Sequence, residues 1–417
     1  MNWPDEPLSR ADAANVQLDS ADQVNVVLIA GELRPGGFVR TDGSADLAAL
    51  RRSLAERLDS AEPELRRFSQ RIGGDARNPQ WRNSPPDLTW HVREVEAQPG
   101  RAGLAGLCAE LMTTPLPLDR PLWELLVVPG VSQHAPGVIL RLHHCVADGA
   151  GGVRLVERLL GVRSPQPRPL ARPPATPSRG RTGLSLVRMA ALLGARIGPT
   201  PLLGKISQQR GVAFAEIELD AIAAGARARG GTVNDALLAA VALGVTAALV
   251  AAGARVPAEL RVSVPVALPD RGDSGNATGV MIADLPTGIT DLDELVSRIA
   301  AQTSQAKHAA RAQGTYELTR SRWGTWLFAR LARHQRFAAL FVTNVRGPAE
   351  ALSIGGAELA LLWPVTPIQG NIRLGVSAMS YAGRLGCAVH TDASAISAAA
   401  LSSALQIGLD AIAARPT

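Results

Sequence analysis

Val138-Ile139-Leu140-Arg141-Leu142-His143-His144-Cys145-Val146-Ala147-Asp148-Gly149 is the stretch from which the fold of this chain is read. Its first part alternates, with Val138, Leu140, Leu142 and His144 on one side and Ile139, Arg141 and His143 on the other. A period of two marks a strand. Successive strand side chains take opposite faces, so the two histidines are expected to point opposite ways. His144 shares the apolar face and is expected to point inward, whereas His143 shares a face with Arg141 and is expected to point outward. Past the histidines, Gly149, Gly151 and Gly152 allow a tight turn. Val153, Val156, Leu159 and Leu160 then recur at helical spacing. An α/β scaffold tends to set its reacting groups at such a passage from strand through turn to helix.

An imidazole beside apolar walls is a candidate general base, because its ordinary pKa lies near working pH. Asp148, past the bend, is placed to hydrogen-bond back across the turn or to pair with a distant arginine. Gly149 leaves room beside the ring for a substrate. Two other readings compete: a satisfied structural histidine at a strand end, and a metal site built from His144 and Asp148. The metal reading is poorly supplied with ligands, since only His143 and Cys145 are near and neither lies on the same strand face. Gly149-Ala150-Gly151-Gly152 matches neither the dinucleotide fingerprint nor a P-loop. No metal is expected.

His-His-x-x-x-Asp-Gly at 143–149 resembles the signature of the CoA-dependent acyltransferase superfamily, which includes chloramphenicol acetyltransferase-like enzymes and nonribosomal peptide condensation domains. The surrounding text is similar to the bacterial wax ester synthase/diacylglycerol acyltransferase family. Pro117-Leu118-Asp119-Arg120-Pro121-Leu122-Trp123-Glu124 resembles its PLW segment, and Thr232-Val233-Asn234-Asp235 its ND motif at the start of a long helix. Val264-Pro265-Val266 with Gly275-Asn276 resembles its GN segment, and Thr343-Asn344-Val345-Arg346-Gly347-Pro348 its NVPGP segment. Ser380-Tyr381-Ala382-Gly383-Arg384-Leu385 resembles its late hairpin. These matches are collinear from about residue 8 to residue 395. Arg346 departs from the pattern, standing where the family has proline.

The resemblance implies an α/β (α+β) chain of two chloramphenicol acetyltransferase-like domains, each a mixed sheet flanked by helices. The expected division is residues 1–162, carrying the histidine motif, a basic Pro/Arg-rich linker at 163–211, and residues 212–417. The implied activity is transfer of a fatty acyl group from acyl-CoA, a co-substrate, to a long-chain alcohol or diacylglycerol, with no other cofactor. His144 takes the hydroxyl proton and returns it to the departing thiolate. His143 supports it, Asp148 holds the loop, and the family's histidine lies where the two halves meet. Asn234, Asp235, Thr343, Asn344, Trp123 and Asn276 are candidates for the substrate channel, and Asn344 or Thr343 for a hydrogen bond to the thioester carbonyl as it gains charge. Against these stand structural readings: Asn234 and Asp235 as a helix start, Asp119-Arg120 and Trp123-Glu124 as a lock on a strand edge, Asn344 with Gly347-Pro348 as a turn. A catalytically weak relative that binds acyl-CoA or lipid, or an acyltransferase for another alcohol, is the alternative that Arg346 keeps open.

Composition is consistent with this and excludes other classes. The chain of 417 residues has 46% hydrophobic and 19% charged residues, the balance of a soluble globular protein of two or three domains. Cys108, Cys145 and Cys387 are too far apart for a disulfide framework or a zinc spacing, which suits a reducing cytoplasm. Asp5 and Glu6 with no apolar run behind them do not form a signal peptide. The net charge of +6 has a local source, since every charged residue from Arg158 to Arg210 is basic. Residues 164–182 read as a Pro/Arg-rich linker, and residues 184–197 as a short basic amphipathic helix. That helix suggests peripheral attachment to the inner membrane or to lipid inclusions, against a plain solvated linker. Nucleic acid is not an expected partner, because no recognition motif or aromatic-interleaved patch accompanies the charge.

Periodicity places helices at 47–58, 104–112 and 292–310 and strands at 88–95, 122–128, 138–142, 212–219, 261–268 and 340–344. A strand pair flanks Ala382-Gly383, and a last helix runs from Ile396. Thr232 is expected to cap a helix, with Asp235 three residues on completing a capping box. The apolar run 236–254 approaches spanning length, but it is Ala-rich and unflanked by anchors, so it reads as a buried core helix.

Overall fold

The computed structural model describes residues 3–20, 23–60, 62–75, 78–146, 149–161, 197–267, 278–311 and 333–414. The linker up to residue 196, most of the expected basic helix, Asp148 and Asn276 lie outside the described residues. The N-terminal part runs through β1 (Glu6–Pro7), α1 (Arg10–Leu18), β2 (Val26–Leu33), α2 (Leu47–Leu58), β3 (Gln70–Asp75) and β4 (Asn78–Asn83). It continues with α3 (Leu88–His91), β5 (Val92–Glu94), α4 (Gly100–Leu111), β6 (Trp123–Val128), β7 (Gly137–His143) and α5 (Gly149–Leu160). The C-terminal part has β8 (Arg210–Glu218), α6 (Leu219–Ala228), α7 (Val233–Ala251), β9 (Glu259–Ala267), β10 (Thr278–Pro286), α8 (Leu292–Arg311) and β11 (Leu340–Arg346). It closes with β12 (Ser353–Ile354), β13 (Ala357–Val365), β14 (Leu374–Tyr381), β15 (Arg384–Asp392) and α9 (Ala398–Ala413).

Two compact units result, each a mixed sheet with helices. In the first, six strands lie in the order β12-β13-β2-β7-β6-β5, antiparallel except where β5 runs parallel to β6. A smaller sheet, β1-β4-β3, stands beside it in the chain's N-terminal segment. Strand β7 is central and buried at every position. Val138, Leu140 and Leu142 pack with Leu50 and Leu54 of α2 and Leu155, Val156 and Leu159 of α5. The opposite face lies under α4: Gly137 sits against Leu104, and Arg141 Nη2 donates to the carbonyl of Leu111.

That second cover corrects the expected outward face of His143. Arg141 is 2% exposed and His143 0%. A period-two pattern with an arginine on one face resembles a half-solvated strand, but here helices cover both faces. Glu124, directly across from Arg141 on β6, accepts its guanidinium, and Arg93 closes on the other carboxylate oxygen at 2.7 Å. A second correction falls at 88–95. Asp87 accepts the N–H of Thr89 and starts the helical turn α3, leaving only Val92–Glu94 as strand.

The units also differ from a cut at residue 212, because residues 345–365 and 379–382 cluster with the first one. Strand β13 pairs with β2 from Leu359↔Leu33 to Val365↔Leu28. Tyr381 fastens this excursion: its hydroxyl accepts the N–H of Leu352 and donates to the carbonyl of Leu359, both at 2.7 Å.

The second unit's sheet has the order β10-β9-β11-β14-β15-β8. Residues Leu260, Val262, Val264, Val342, Val376, Cys387 and Val389 meet α6, α7, α8 and α9 in one core. The capping box forms as expected: Thr232 and Asp235 exchange side-chain and backbone bonds at the start of α7. Helix α7 has a mean hydropathy of 1.9 and the length to cross a bilayer, but 67% of it is buried inside the unit. Its small residues admit close neighbours, as where Gly244 meets Leu401 and Gly408 meets Ala240.

Two tests follow from this packing. Tyr381→Phe strands a buried N–H and carbonyl, and should lower unfolding stability by about 1–3 kcal/mol in a urea titration. Burial also pushes the imidazoles of His91 and His390 down to about 4. Their unfolded counterparts titrate near 6.5, so between those values the unfolded chain binds more protons. Stability is therefore full above pH 6.5 and falls as pH drops toward 4, by about 1.4 kcal/mol per pH unit for each group. His390→Gln, which takes up no proton, should flatten that slope in urea melts from pH 7 to 5.

Candidate active site

The end of β7 and the turn behind it are held by hydrogen bonds from the N-terminal segment. His143 Nδ1 accepts the backbone N–H of Cys145 at 3.1 Å, so its proton is on Nε2. Nε2–H donates to Asp19 Oδ2 at 3.3 Å. Both ring nitrogens of His143 are thereby in use. His144 begins the turn, is half-buried, and donates its backbone N–H to the carbonyl of Asn25 at 2.9 Å. Asn25 in turn donates its N–H to Asp19 Oδ1 at 3.0 Å and its side-chain amide to the carbonyl of Asn15 at 2.8 Å. Two histidines adjacent in sequence thus have different surroundings: one is sealed and bonded at both nitrogens, the other stands where strand gives way to turn.

Cys145, next in the chain, is buried, and burial together with the negative charge of Asp12 pushes its thiol well above the ordinary range. It stays protonated and is a poor nucleophile. Burial likewise raises the carboxyl of Asp12, which accepts the indole N–H of Trp81 at 3.4 Å. Gly149 opens helix α5, whose Leu155, Val156 and Leu159 join the core beneath the sheet. Among the described residues no group of three or more His, Cys, Asp or Glu is placed to hold a metal ion.

The other sequence candidates are distributed as follows. Trp123 lies in the first unit, buried, with its indole N–H donating to the carbonyl of Phe68 at 2.9 Å. His91 stacks on its ring at 4.6 Å and donates Nδ1–H to its carbonyl. Asp235, in the second unit, has both oxygens engaged: Oδ2 takes the N–H and hydroxyl of Thr232, and Oδ1 takes the hydroxyl of Thr303 at 2.6 Å. It joins α7 to α8. Asn234 beside it is half-buried, as are Thr343 and Asn344 near the end of β11. Arg346 is exposed at the strand's last position. Gly347 then donates to the carbonyl of Ser380, and a Cβ at that position would lie 2.4 Å from the same oxygen. The carbonyl of Pro348 takes the N–H of Ala382.

Asp19, Asn25 and Asn15 were not singled out by the sequence. They lie more than a hundred residues before the motif and match no spacing rule, and a tertiary contact is what gives them a role. The only local hint is the cluster of short polar residues between α1 and β2.

Comparison with known proteins places these observations. Residues 8–198 match the wax ester synthase/diacylglycerol acyltransferase catalytic domain, and residues 274–413 match the C-terminal domain of the same family. A Mycobacterium tuberculosis H37Rv protein named a diacylglycerol O-acyltransferase is 27% identical over 443 residues, covering 92% of this chain and 85% of its own length. The solved wax ester synthase/diacylglycerol acyltransferase from Marinobacter aquaeolei VT8 is 22% identical with a TM-score of 0.72, covering 97% of this chain and 98% of that one. A trichothecene 15-O-acetyltransferase from Fusarium sporotrichioides shares the fold at 11% identity and a TM-score of 0.68, over 98% of this chain and 94% of its own.

The buried thiols give a direct check. Iodoacetamide at pH 8 should leave Cys108, Cys145 and Cys387 unmodified in the native protein and alkylate all three in urea, as read by mass spectrometry. Rapid native alkylation of Cys145 would contradict its sealed, protonated state.

Proposed function

We propose, from the premise that this chain belongs to the wax ester synthase/diacylglycerol acyltransferase family and is an acyltransferase, that it moves a fatty acyl group from acyl-CoA to a long-chain alcohol or diacylglycerol with His144 as general base. One observation carries the choice of base: His143 spends Nδ1 on the Cys145 N–H and Nε2–H on Asp19. A ring so bonded has no lone pair left for a substrate hydroxyl. The base is therefore assigned to the motif's other imidazole, that of His144, half-buried at the turn.

In this reaction the acceptor oxygen attacks the thioester carbon while His144 takes the hydroxyl proton. The C–S bond then breaks, and the proton passes from His144 to the sulfur of CoA, leaving the ester and free thiol. No acyl-enzyme is needed, because thiolate leaves readily and binding supplies proximity. The protonated, buried thiol of Cys145 is consistent with direct transfer. Acyl-CoA enters as co-substrate with no further cofactor, in a cytoplasmic protein that meets its lipid acceptor at a membrane or inclusion surface through the basic stretch before residue 210.

Arg346 bears on the catalytically weak alternative. It is exposed, and the bonds of Gly347 and Pro348 to the turn at 380–382 are formed despite it. The substitution therefore changes surface charge and leaves the tie of this segment in place, which favours the active enzyme.

The test is release of free thiol from palmitoyl-CoA in the presence of hexadecanol or dipalmitoylglycerol. His144→Ala should lower turnover by roughly 10²–10⁴-fold. Absence of thiol release by the wild type across several alcohols would reject these acceptors, and full turnover by His144→Ala would reject the base.

A further inference from the structure

We propose that Asp19 is the positioning residue that aims His144, acting on it through His143 and Asn25. The inference rests on His144 being the base of the transfer step. Asp19 follows the last turn of α1 and presents one carboxylate oxygen to each of two arms. In the first arm Oδ2 accepts Nε2–H of His143 at 3.3 Å, and the opposite nitrogen of that ring accepts the N–H of Cys145 at 3.1 Å. In the second arm Oδ1 accepts the N–H of Asn25 at 3.0 Å, and the carbonyl of Asn25 accepts the N–H of His144 at 2.9 Å.

The two arms end on the two peptide planes that flank His144. Its own N–H belongs to the plane it shares with His143, and the N–H of Cys145 belongs to the plane that follows. Peptide units are planar, so a residue's only soft backbone angles are those between its two flanking planes. Fixing both planes fixes φ and ψ at His144, and with them the direction of its Cβ. One carboxylate thus sets where the imidazole starts from, without touching it.

The chemistry of the carboxylate is specific. It offers acceptors only, and both arms present it with N–H donors. An amide of the same shape has one acceptor and one donor, so it cannot serve both. Turned one way, it faces the Asn25 N–H with another N–H. Turned the other way, it forces the His143 proton onto Nδ1, where it meets the N–H of Cys145. Asp19→Asn keeps the volume and breaks one arm in either orientation.

The experiment measures thiol release from palmitoyl-CoA with hexadecanol for wild type, Asp19→Asn, His144→Ala and the double variant. Misplacing the base should lower kcat of Asp19→Asn by roughly 10–100-fold, with KM for palmitoyl-CoA held within about twofold. In the His144→Ala background the same change should have no further effect, because nothing is left to aim. An unchanged kcat for Asp19→Asn overturns the inference, as does a loss that appears only in KM or is equally large without His144. Full turnover by His144→Ala is a separate result that rejects the base itself. A measurement on the unmodified protein keeps the inference testable even if Asp19→Asn does not fold. In ¹⁵N-histidine spectra at pH 7, His143, assigned by the loss of its signals in His143→Gln, should carry its proton on Nε2 and a bare Nδ1. A proton on Nδ1 overturns the inference.

Discussion

Strand β7 is buried on both faces, so every polar side chain it carries must find its partner inside the protein. A buried charge or imidazole without one is strongly unfavourable. Arg141 meets this requirement through Glu124 across the sheet and the carbonyls of Leu111 and Thr114. Glu124 is completed by Arg93, which brings β5 and β6 into the same network. His143 meets it through Asp19, which fastens the N-terminal segment to the strand end. Polar satisfaction of one central strand therefore draws α4, β5, β6 and the residues after α1 into fixed places around the motif.

The same requirement separates the two histidines. His143 is the last strand residue and inherits the sealed environment of the sheet, where it becomes a structural hydrogen-bonding unit. His144 is the first residue of the turn, half-buried where the strand ends. Its place one residue beyond a rigid strand gives its backbone a fixed support, the carbonyl of Asn25. The neighbouring thiol of Cys145 is buried and kept protonated, which makes it a poor nucleophile.

Much of this was legible in the sequence, for reasons specific to each element. The α2 helix, the core helix α7 with its Thr232/Asp235 box, β6, β7 and the hairpin around Ala382-Gly383 all announce themselves by periodicity or capping chemistry within a few residues. At 88–95 the apolar spacing suggested one strand, but the Asp87 cap takes the first half into a helical turn. The outward face assigned to His143 was wrong because alternation reports only that two faces differ in character. Whether a second layer covers the polar face depends on helices such as α4, which are remote in the chain.

The sequence by itself determined the class of fold, the strand-turn-helix passage at 137–160 and the adjacent pair of histidines at its bend. Those features rest on interactions between near neighbours, which residue order states directly. The tertiary structure decided which histidine is sealed, that residues 345–365 join the first sheet, and that Asp19 and Asn25 hold the turn. Such facts come from contacts over a hundred residues and more, formed as the sheet closes and its buried donors and acceptors are matched. No local pattern encodes a partner at that distance, so only the folded chain could show it.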